Sequence, residues 1–419
     1  MIRITTFFLL LVFLVTAFKS STTPWGFFGH KRINRMAVFT LPPEMIAFYK
    51  KHIEFVTEHA VDPDKRRYAT KFEAARHYMD LDRYGKPPFD ELPRDWTGAL
   101  MKYASICFLN SRGDTVFLST PSTISMDKKK VYFSHPTLLK WSSQSSLEIP
   151  LSSYRDFVYF NVVRQYFEPE WQINRDSINQ LFQMAGYKLS CGDAWAVDSI
   201  SAHGILPYNL VRVMDNLTEA FRNKDVKRIL QLSADIGHYI GDAHVPLHTT
   251  ENYNGQLTNQ VGIHGFWESR IPELFADDQY DFFVGKASYI EKTAPYFWKI
   301  VMDSHQLVDS VLLIEQKLRH IIPPDQQMCY ETRMEMPVLT QCKDFAKAYS
   351  DRMDGMVEAR MRASILSVGS IWYTAWVNAG QPDLNHIGDL VYSKEELKQL
   401  EAEEALYQSG KINGRPHDN

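Results

Sequence analysis

Cysteine and net positive charge are both scarce in this sequence. Only four of the 419 residues are cysteine, and no two of them form a C-x-x-C pair. Lysine and arginine total 46 against 50 aspartates and glutamates, a formal net charge of -4, so a general attraction to nucleic acid or anionic membrane is excluded. The 20 glycines and 20 prolines are too few for a fibrous or low-complexity chain. What remains is a globular chain with 14 histidines, whose spacing becomes the informative feature.

The N-terminal region has an apolar run that is too short to span a membrane. This run, residues 7–18, falls short of the roughly 20 residues that a membrane helix needs and follows Met1-Ile2-Arg3. The pattern is typical of a secretory signal, so we expect an exported protein, periplasmic or extracellular, without a stable membrane anchor. In an oxidising compartment four residues could form two disulfides in any of three pairings: Cys107, Cys191, Cys329 and Cys342.

The periodicity of apolar residues predicts a mainly α fold. Apolar residues recur at three- and four-residue spacing over 208–221, 225–243, 295–318 and 345–377, which indicates a bundle of helices. Short apolar runs such as Val116-Phe117-Leu118 instead predict strands in a mixed α/β insertion. We therefore expect a signal peptide with a short pro-segment over 1–24, a helical domain over 25–105 with 202–383, an insertion over 106–201, and a charged helix and tail over 384–419.

The segment around residue 240 carries the first pattern of metal ligands. His238 and Asp242 are four residues apart, so they share one face of a helix and can converge on one metal ion. Pro246 should end or bend this helix, because it lacks an N–H and its ring collides with the preceding turn. His248 would then approach from a different direction, beside a second metal ion.

Two further segments extend the pattern. His264 and Glu268 are again four residues apart and, together with His248, make a three-ligand site with an open position, as in catalytic zinc sites. Asp62 and His77 lie upstream, where the pattern predicts a helix from about residue 66 to His77. A purely structural zinc site is the alternative, but such sites are usually closed and rich in cysteine.

These motifs resemble the zinc-dependent phospholipase C and single-strand-specific nuclease superfamily of secreted, mainly helical hydrolases. The likeness covers Trp25 to about His77 and Leu206 to about Asp383. It implies a multi-helix bundle around a multinuclear site of two to three Zn²⁺ ions. The metal ligands that the resemblance implies are Trp25, His30, Asp62, His77, His238, Asp242, His248, His264 and Glu268.

The substrate is less clearly indicated than the superfamily. The short interval from His248 to His264 and the final Glu268 are similar to the phospholipase branch. The choline pocket of that branch is not reproduced, since its positions carry Phe28, Pro63 and Ala74. Trp25 would bind zinc through its amino group only as the first mature residue, whereas the small-residue rule favours cleavage after Ala17.

The pattern predicts metal-assisted hydrolysis of a phosphoester, with Asp62 as both ligand and general base. Arg66, Asn252 and Asn254 are the candidate contacts to substrate. The lead hypothesis is a phospholipase C-like phosphodiesterase that acts on a phospholipid headgroup. The alternatives are a single-strand-specific nuclease or nucleotidase and a non-catalytic zinc-binding protein, and no protein partner is indicated.

Overall fold

The fold is mainly helical, as the sequence predicts. A computed structural model describes residues 27–163, 170–333 and 336–410, so Trp25 and the predicted signal peptide lie outside the described residues. In the described part of the chain, none of the helices combines the length and the apolar character that crossing a membrane requires.

Helices are found from the beginning to the end of the described chain. The α-helices are α1 (Phe27–Ala37), α2 (Pro43–Lys51), α3 (Ile53–Glu58), α4 (Asp62–Ala69), α5 (Trp96–Tyr103), α6 (Pro136–Ser142), α7 (Leu151–Phe157), α8 (Arg175–Met184), α9 (Leu206–Arg222), α10 (Val226–His244), α11 (Ile263–Gly265), α12 (Ile271–Gln279), α13 (Thr293–His305), α14 (Val308–Ile321), α15 (Lys343–Arg352), α16 (Met356–Asn378) and α17 (Lys394–Gln408). Short 3₁₀ turns occur at Val38–Thr40, His59–Val61, Ala74–Arg76, Leu81–Tyr84, Ser201–His203, Pro246–Thr249 and Pro324–Gln326, and π-helical turns at Val158–Val162 and Phe266–Arg270.

The strands are mostly confined to one part of the chain. They are β1 (Ala104–Leu109), β2 (Thr115–Ser119), β3 (Ile124–Met126), β4 (Lys130–Phe133), β5 (Leu147–Pro150), β6 (Glu170–Ile173), β7 (Ala194–Asp198), β8 (Met328–Arg333) and β9 (Met336–Gln341). Antiparallel pairing forms sheets of order β2-β1-β7-β6, β3-β4-β5 and β8-β9, with Cys107 opposite Trp195 and Tyr330 opposite Leu339. Strands β1 to β7 thus lie where the sequence predicts a mixed α/β segment. Its boundaries as a separate insertion stay a prediction, because Ile106 and Phe108 belong to the same continuous core as α9 and α10.

The central helix of the bundle is α10. Asp225 caps its first turn by accepting a hydrogen bond from the Arg228 amide at 3.0 Å, and every residue from Ile236 to His244 is buried. A helix that is buried on all sides belongs in the core of a protein. It ends at His244, two residues before Pro246, and a 3₁₀ turn follows. The predicted break at this proline is therefore confirmed.

Two glycines allow α1 to approach α10 closely. A Cβ atom at Gly237 would lie 2.0 Å from Asn34 Oδ1, and one at Gly241 would lie 2.8 Å from His30 Nδ1. Both distances are shorter than van der Waals contact, so a larger side chain would push the two helices apart. The close approach stacks the ring of His30 on that of His238, with 3.9 Å between the ring centroids.

Two of the predicted long helices are interrupted, and a shorter predicted helix ends early. The predicted helix over 295–318 is divided into α13 and α14, and that over 345–377 into α15 and α16. Gly355 explains the second break, because its φ of 74° is a left-handed conformation that stops an α-helix. The helix predicted from residue 66 to His77 is also wrong, since α4 ends at Ala69 and a 3₁₀ turn leads into His77.

One disulfide joins the β8–β9 hairpin. Cys329 on β8 is bonded to Cys342, which directly follows β9. Cys107 and Cys191 are buried thiols. The sequence allows two disulfides in three pairings. The structure contains the Cys329–Cys342 bridge, and Cys107 and Cys191 are thiols.

Candidate metal centre

Histidine and carboxylate side chains converge at the C-terminal half of α10. Among the described residues, four groups of three have ligand atoms that all lie within 4.8 Å of one another and could hold a metal ion. The groups are His30, Asp64 and His238; His77, His238 and Asp242; His248, His264 and Glu268; and His30, Asp242 and Glu268. The five histidines and Asp242 are buried, which is unusual for such polar groups unless they are paired or bind metal.

The first half of the centre is built on one face of α10. His238 and Asp242 are one helical turn apart, and His238 Nε2 lies 3.3 Å from Asp242 Oδ2. His77 completes this half from the chain after α4, with its Nδ1 3.0 Å from the same carboxylate oxygen and 3.1 Å from His238 Nε2. Two ring nitrogens and one carboxylate oxygen therefore point at a common position.

The second half follows the break at Pro246. His248 lies in the 3₁₀ turn after α10, whereas His264 and Glu268 lie on α11 and the π-helical turn that continues it. Glu268 Oε2 is 2.8 Å from His264 Nε2 and 3.4 Å from His248 Nε2. The predicted pairing of residues four apart is thus present, although a π-helical turn replaces a regular helix.

Two carboxylates connect the halves. While Asp242 Oδ2 faces His77 and His238, its Oδ1 lies 3.4 Å from His30 Nε2 and 3.7 Å from His248 Nε2. Glu268 Oε1 is likewise 3.4 Å from His30 Nε2. Each carboxylate therefore presents its two oxygens to different histidines, as carboxylates that bridge neighbouring metal ions do.

Backbone carbonyls fix the orientation of three of the imidazole rings. His238 Nδ1 donates a hydrogen bond to Ala60 O at 2.9 Å, and His248 Nδ1 donates to the carbonyl of His77 at 2.6 Å. His264 Nδ1 donates to Tyr253 O at 3.1 Å. Because Nδ1 carries the proton in each ring, Nε2 keeps its lone pair and faces the centre. This tautomer is the one that a metal-binding histidine uses when its other nitrogen is a donor.

The acidic groups of the centre are held in the charged form. Burial alone would raise the pKa of Asp242, but the nearby imidazoles of His238 and His248 hold that pKa well below its usual range. The pKa of Glu268 is lowered in the same way by hydrogen bonds from the surrounding histidines, against the effect of burial. Burial lowers the pKa of His30, but Glu268 and Asp242 outweigh it and raise that pKa to about 9. The centre is therefore an environment that stabilises cations.

Asp64, and not Asp62, joins the histidines. Asp64 Oδ1 lies 3.8 Å from both His77 Nδ1 and His238 Nε2. The carboxylate of Asp62 points away and is 2.6 Å from His59 Nδ1. Both aspartates follow the 3₁₀ turn before α4, and the rotation of that helix decides which one faces α10. A second aspartate two residues after the first was the signal in the sequence.

The predicted substrate contacts do not line this centre. The guanidinium of Arg66 is paired with Asp235, with Nη1 3.1 Å from Oδ1, and faces a cavity between α4, α9, α10 and α17. Asn252 and Asn254 are buried and accept hydrogen bonds from the Leu257 and Gly262 amides at 2.8 and 2.9 Å. Their side chains therefore hold the loop in shape rather than forming its outer rim.

Trp25, the remaining predicted ligand, lies outside the described residues. His30 nevertheless joins the centre through Asp242 and Glu268.

Searches among protein-family models, curated proteins and solved structures find no match to this chain. The functional argument therefore depends on the residues and geometry of the centre itself.

Proposed function

We propose that this protein is an exported, zinc-dependent phosphodiester hydrolase similar to the phospholipase C and single-strand-specific nuclease superfamily. The observation that carries the proposal is the position of Asp242 and Glu268, each of which faces two sets of histidines with its two oxygens. Such an arrangement suits two or three neighbouring divalent cations better than one, because a single ion cannot contact both sets at normal bond lengths.

The donor atoms favour zinc. Among the described residues, the groups that could hold a metal contain imidazole nitrogens and carboxylate oxygens and no thiolate. Zinc accepts both donor types, whereas calcium and magnesium are bound mainly by oxygen. When bound, clustered zinc ions polarise phosphoryl oxygens and lower the pKa of a coordinated water to about 7.

A partly exposed carboxylate of the centre would then remove the proton from the attacking water. The side chains of Asp64 and Glu268 are 17% and 12% exposed, so these carboxylates are the ligands that solvent and substrate reach. Asp64 lies beside the His77 and His238 pair and is the carboxylate that we assign as general base for the attacking water. It takes the role that the sequence assigned to Asp62.

Partly exposed aromatic rings favour a single-stranded nucleic acid as the second candidate substrate. The rings of Phe27 and Tyr68 lie 6.1 and 5.2 Å from the ring of Tyr407 on α17. Lys65 Nζ is 5.6 Å from the centroid of the Tyr407 ring, and Lys65 directly follows Asp64 in the chain. Aromatic rings next to a cation are typical of surfaces on which unpaired bases stack.

Export is supported by the Cys329–Cys342 disulfide. Stable disulfides form mainly in oxidising compartments, such as the periplasm or the extracellular space. The short apolar run at residues 7–18 is consistent with the same route.

The test compares the purified protein with a ligand variant and a matched histidine variant. His264→Ala removes a buried histidine of the centre, whereas His386→Ala removes an exposed one that is paired with Asp383. Metal content is measured by mass spectrometry, and phosphatidylcholine vesicles, vesicles of other phospholipids and single-stranded DNA are offered as substrates. We expect at least two zinc ions per chain and hydrolysis of one substrate class. His264→Ala should lower the zinc content and abolish hydrolysis, whereas His386→Ala should change neither.

Two results would overturn the proposal. Fewer than two zinc ions per chain would contradict the multinuclear centre. Bound zinc without hydrolysis of any of these diesters would instead indicate a non-catalytic zinc-binding protein.

A further inference from the structure

His77 differs from the other histidines of the centre in the nitrogen that it presents. His30, His238, His248 and His264 all face the carboxylates of the centre with Nε2. His77 faces Asp242 with Nδ1 instead. Its Nε2 therefore lies on the side of the ring away from Asp242, and the group beside that nitrogen bears on which nitrogen carries the proton.

Glu73 lies on the far side of the His77 ring. Its Oε1 is 3.7 Å from His77 Nε2, and the two residues are four apart in the chain, joined by the 3₁₀ turn Ala74–Arg76. Both side chains are completely buried. A buried carboxylate is costly unless other groups compensate its charge, so its partners matter.

Those partners hold Glu73 in place and connect it to α10. Arg76 Nη1 donates a hydrogen bond to Glu73 Oε2 at 2.6 Å, and Arg66 Nε approaches the same oxygen at 3.5 Å. The hydroxyl of Tyr239 donates to Oε1, the oxygen that faces His77. Tyr239 directly follows His238 on α10, so the network links the segment that carries His77 to the helix that carries its neighbouring ligand.

We propose that Glu73 is a positioning residue that holds the proton of His77 on Nε2 and thereby directs Nδ1 to the metal. A carboxylate beside the distal nitrogen of a metal-binding histidine fixes its tautomer and increases its basicity. In this centre Glu73 does for His77 what backbone carbonyls do for His238, His248 and His264. The inference rests on the proposed metal centre, but it concerns a residue outside the ligand set.

Asp235 provides a matched control for Glu73. Its carboxylate also pairs with Arg66, with Oδ2 3.0 Å from Nη2, and it lies one helical turn before Tyr239 on α10. Like Glu73 it belongs to none of the groups of candidate ligands, but unlike Glu73 it is not paired with a histidine of the centre in the described structure. Glu73→Gln and Asp235→Asn therefore each remove one carboxylate charge from the same arginine, but only the first changes the surroundings of His77.

The experiment measures the zinc dissociation constant by competition with a chelator and the ¹⁵N chemical shifts of the His77 ring in full-length protein. We expect Glu73→Gln to weaken zinc binding by about 10- to 100-fold and to shift the His77 nitrogens. Asp235→Asn should change the constant by less than about threefold and leave the His77 shifts unaltered. If Glu73→Gln does not fold, Tyr239→Phe, which removes the hydrogen bond to Glu73 Oε1, is judged by the same two measurements.

The possible failures are distinguishable. If the wild-type protein binds no zinc, the proposed function and this inference are both wrong. If the wild-type protein binds zinc and Glu73→Gln keeps its affinity and its His77 shifts, only the inference is wrong. An equal loss of affinity in Glu73→Gln and Asp235→Asn would also overturn it, since the arginine network would then act merely as structural support.

Discussion

The two aspartates at the start of α4 lie in different environments, and replacing each with asparagine tests the assignment of the metal centre. The Asp64 carboxylate is 17% exposed and lies 3.8 Å from two ring nitrogens of the centre. The Asp62 carboxylate is 27% exposed and is bound to His59. The change from Asp to Asn conserves size, so the difference between the variants reports mainly on charge and ligation.

The expected magnitude follows from the distances. A carboxylate and a divalent cation about 4 Å apart in an effective dielectric of about 20 interact with about 8 kcal/mol. Solvent screens the partly exposed Asp64 side chain, and the amide oxygen of asparagine remains a neutral ligand atom, so we expect a loss of about 3 kcal/mol, which corresponds to about a 100-fold weaker zinc affinity. Asp62→Asn should change the affinity by less than about threefold, because an ion pair at the surface contributes little.

Isothermal titration with zinc, in a competing chelator buffer, measures the zinc dissociation constant of the wild-type apoprotein and of each variant. Turnover is then followed at saturating zinc, where Asp64→Asn should remain slow because it lacks the proposed general base. A loss of affinity in Asp62→Asn as large as that in Asp64→Asn would refute the assignment of Asp64.

Three further predictions concern the surroundings of the centre. Gly241→Ala should lower both zinc content and thermal stability, because its Cβ atom would lie 2.8 Å from His30 Nδ1. Replacing Cys329 and Cys342 with serine should lower the free energy of unfolding in urea by about 3 kcal/mol, since the disulfide closes a loop with a sequence separation of 13. Burial raises the pKa of the Cys191 thiol to about 11, so at pH 8 iodoacetamide should alkylate it slowly in the native protein and rapidly in urea.

Each of these predictions has its own control. Gly29→Ala is the reference for the glycine variant, because the nearest atom of the described residues to its Cβ would be the Glu268 carbonyl oxygen, at an ordinary 3.9 Å. Equal effects of the two alanine variants would contradict the role of Gly241. For the disulfide, an unchanged urea midpoint would argue against the bridge. Rapid native alkylation of Cys191 at pH 8 would show that the thiol is accessible and its pKa ordinary.

The parts of the centre that depend on local helix geometry were predictable from the sequence. The four-residue spacing of His238 with Asp242, and of His264 with Glu268, places each pair on one face whatever the rest of the fold does. The end of α10 before Pro246 follows from the missing amide of proline.

Other parts depend on tertiary packing and were not predictable. The distance from His77 in the chain does not determine whether Asp62 or Asp64 faces inward, since that depends on how α4 is rotated against α10. Asn252 and Asn254 are predicted as substrate contacts, whereas both are buried and accept hydrogen bonds from backbone amides. The break before α16 required the left-handed Gly355, which periodicity alone does not reveal.

A long stretch of chain separates two histidines of the centre that lie in contact. His77 and His238 are in contact although they are 161 residues apart, and strands β1 to β7 lie in the intervening chain. Loop-closure entropy grows only with the logarithm of length, so extending a connection of about 40 residues fourfold costs about 1.2 kcal/mol. Loop closure therefore tolerates added residues in exposed turns of this interval, such as 111–114 and 127–129, whereas Ile106 and Phe108 pack in the same core as α9 and α10 and do not tolerate them.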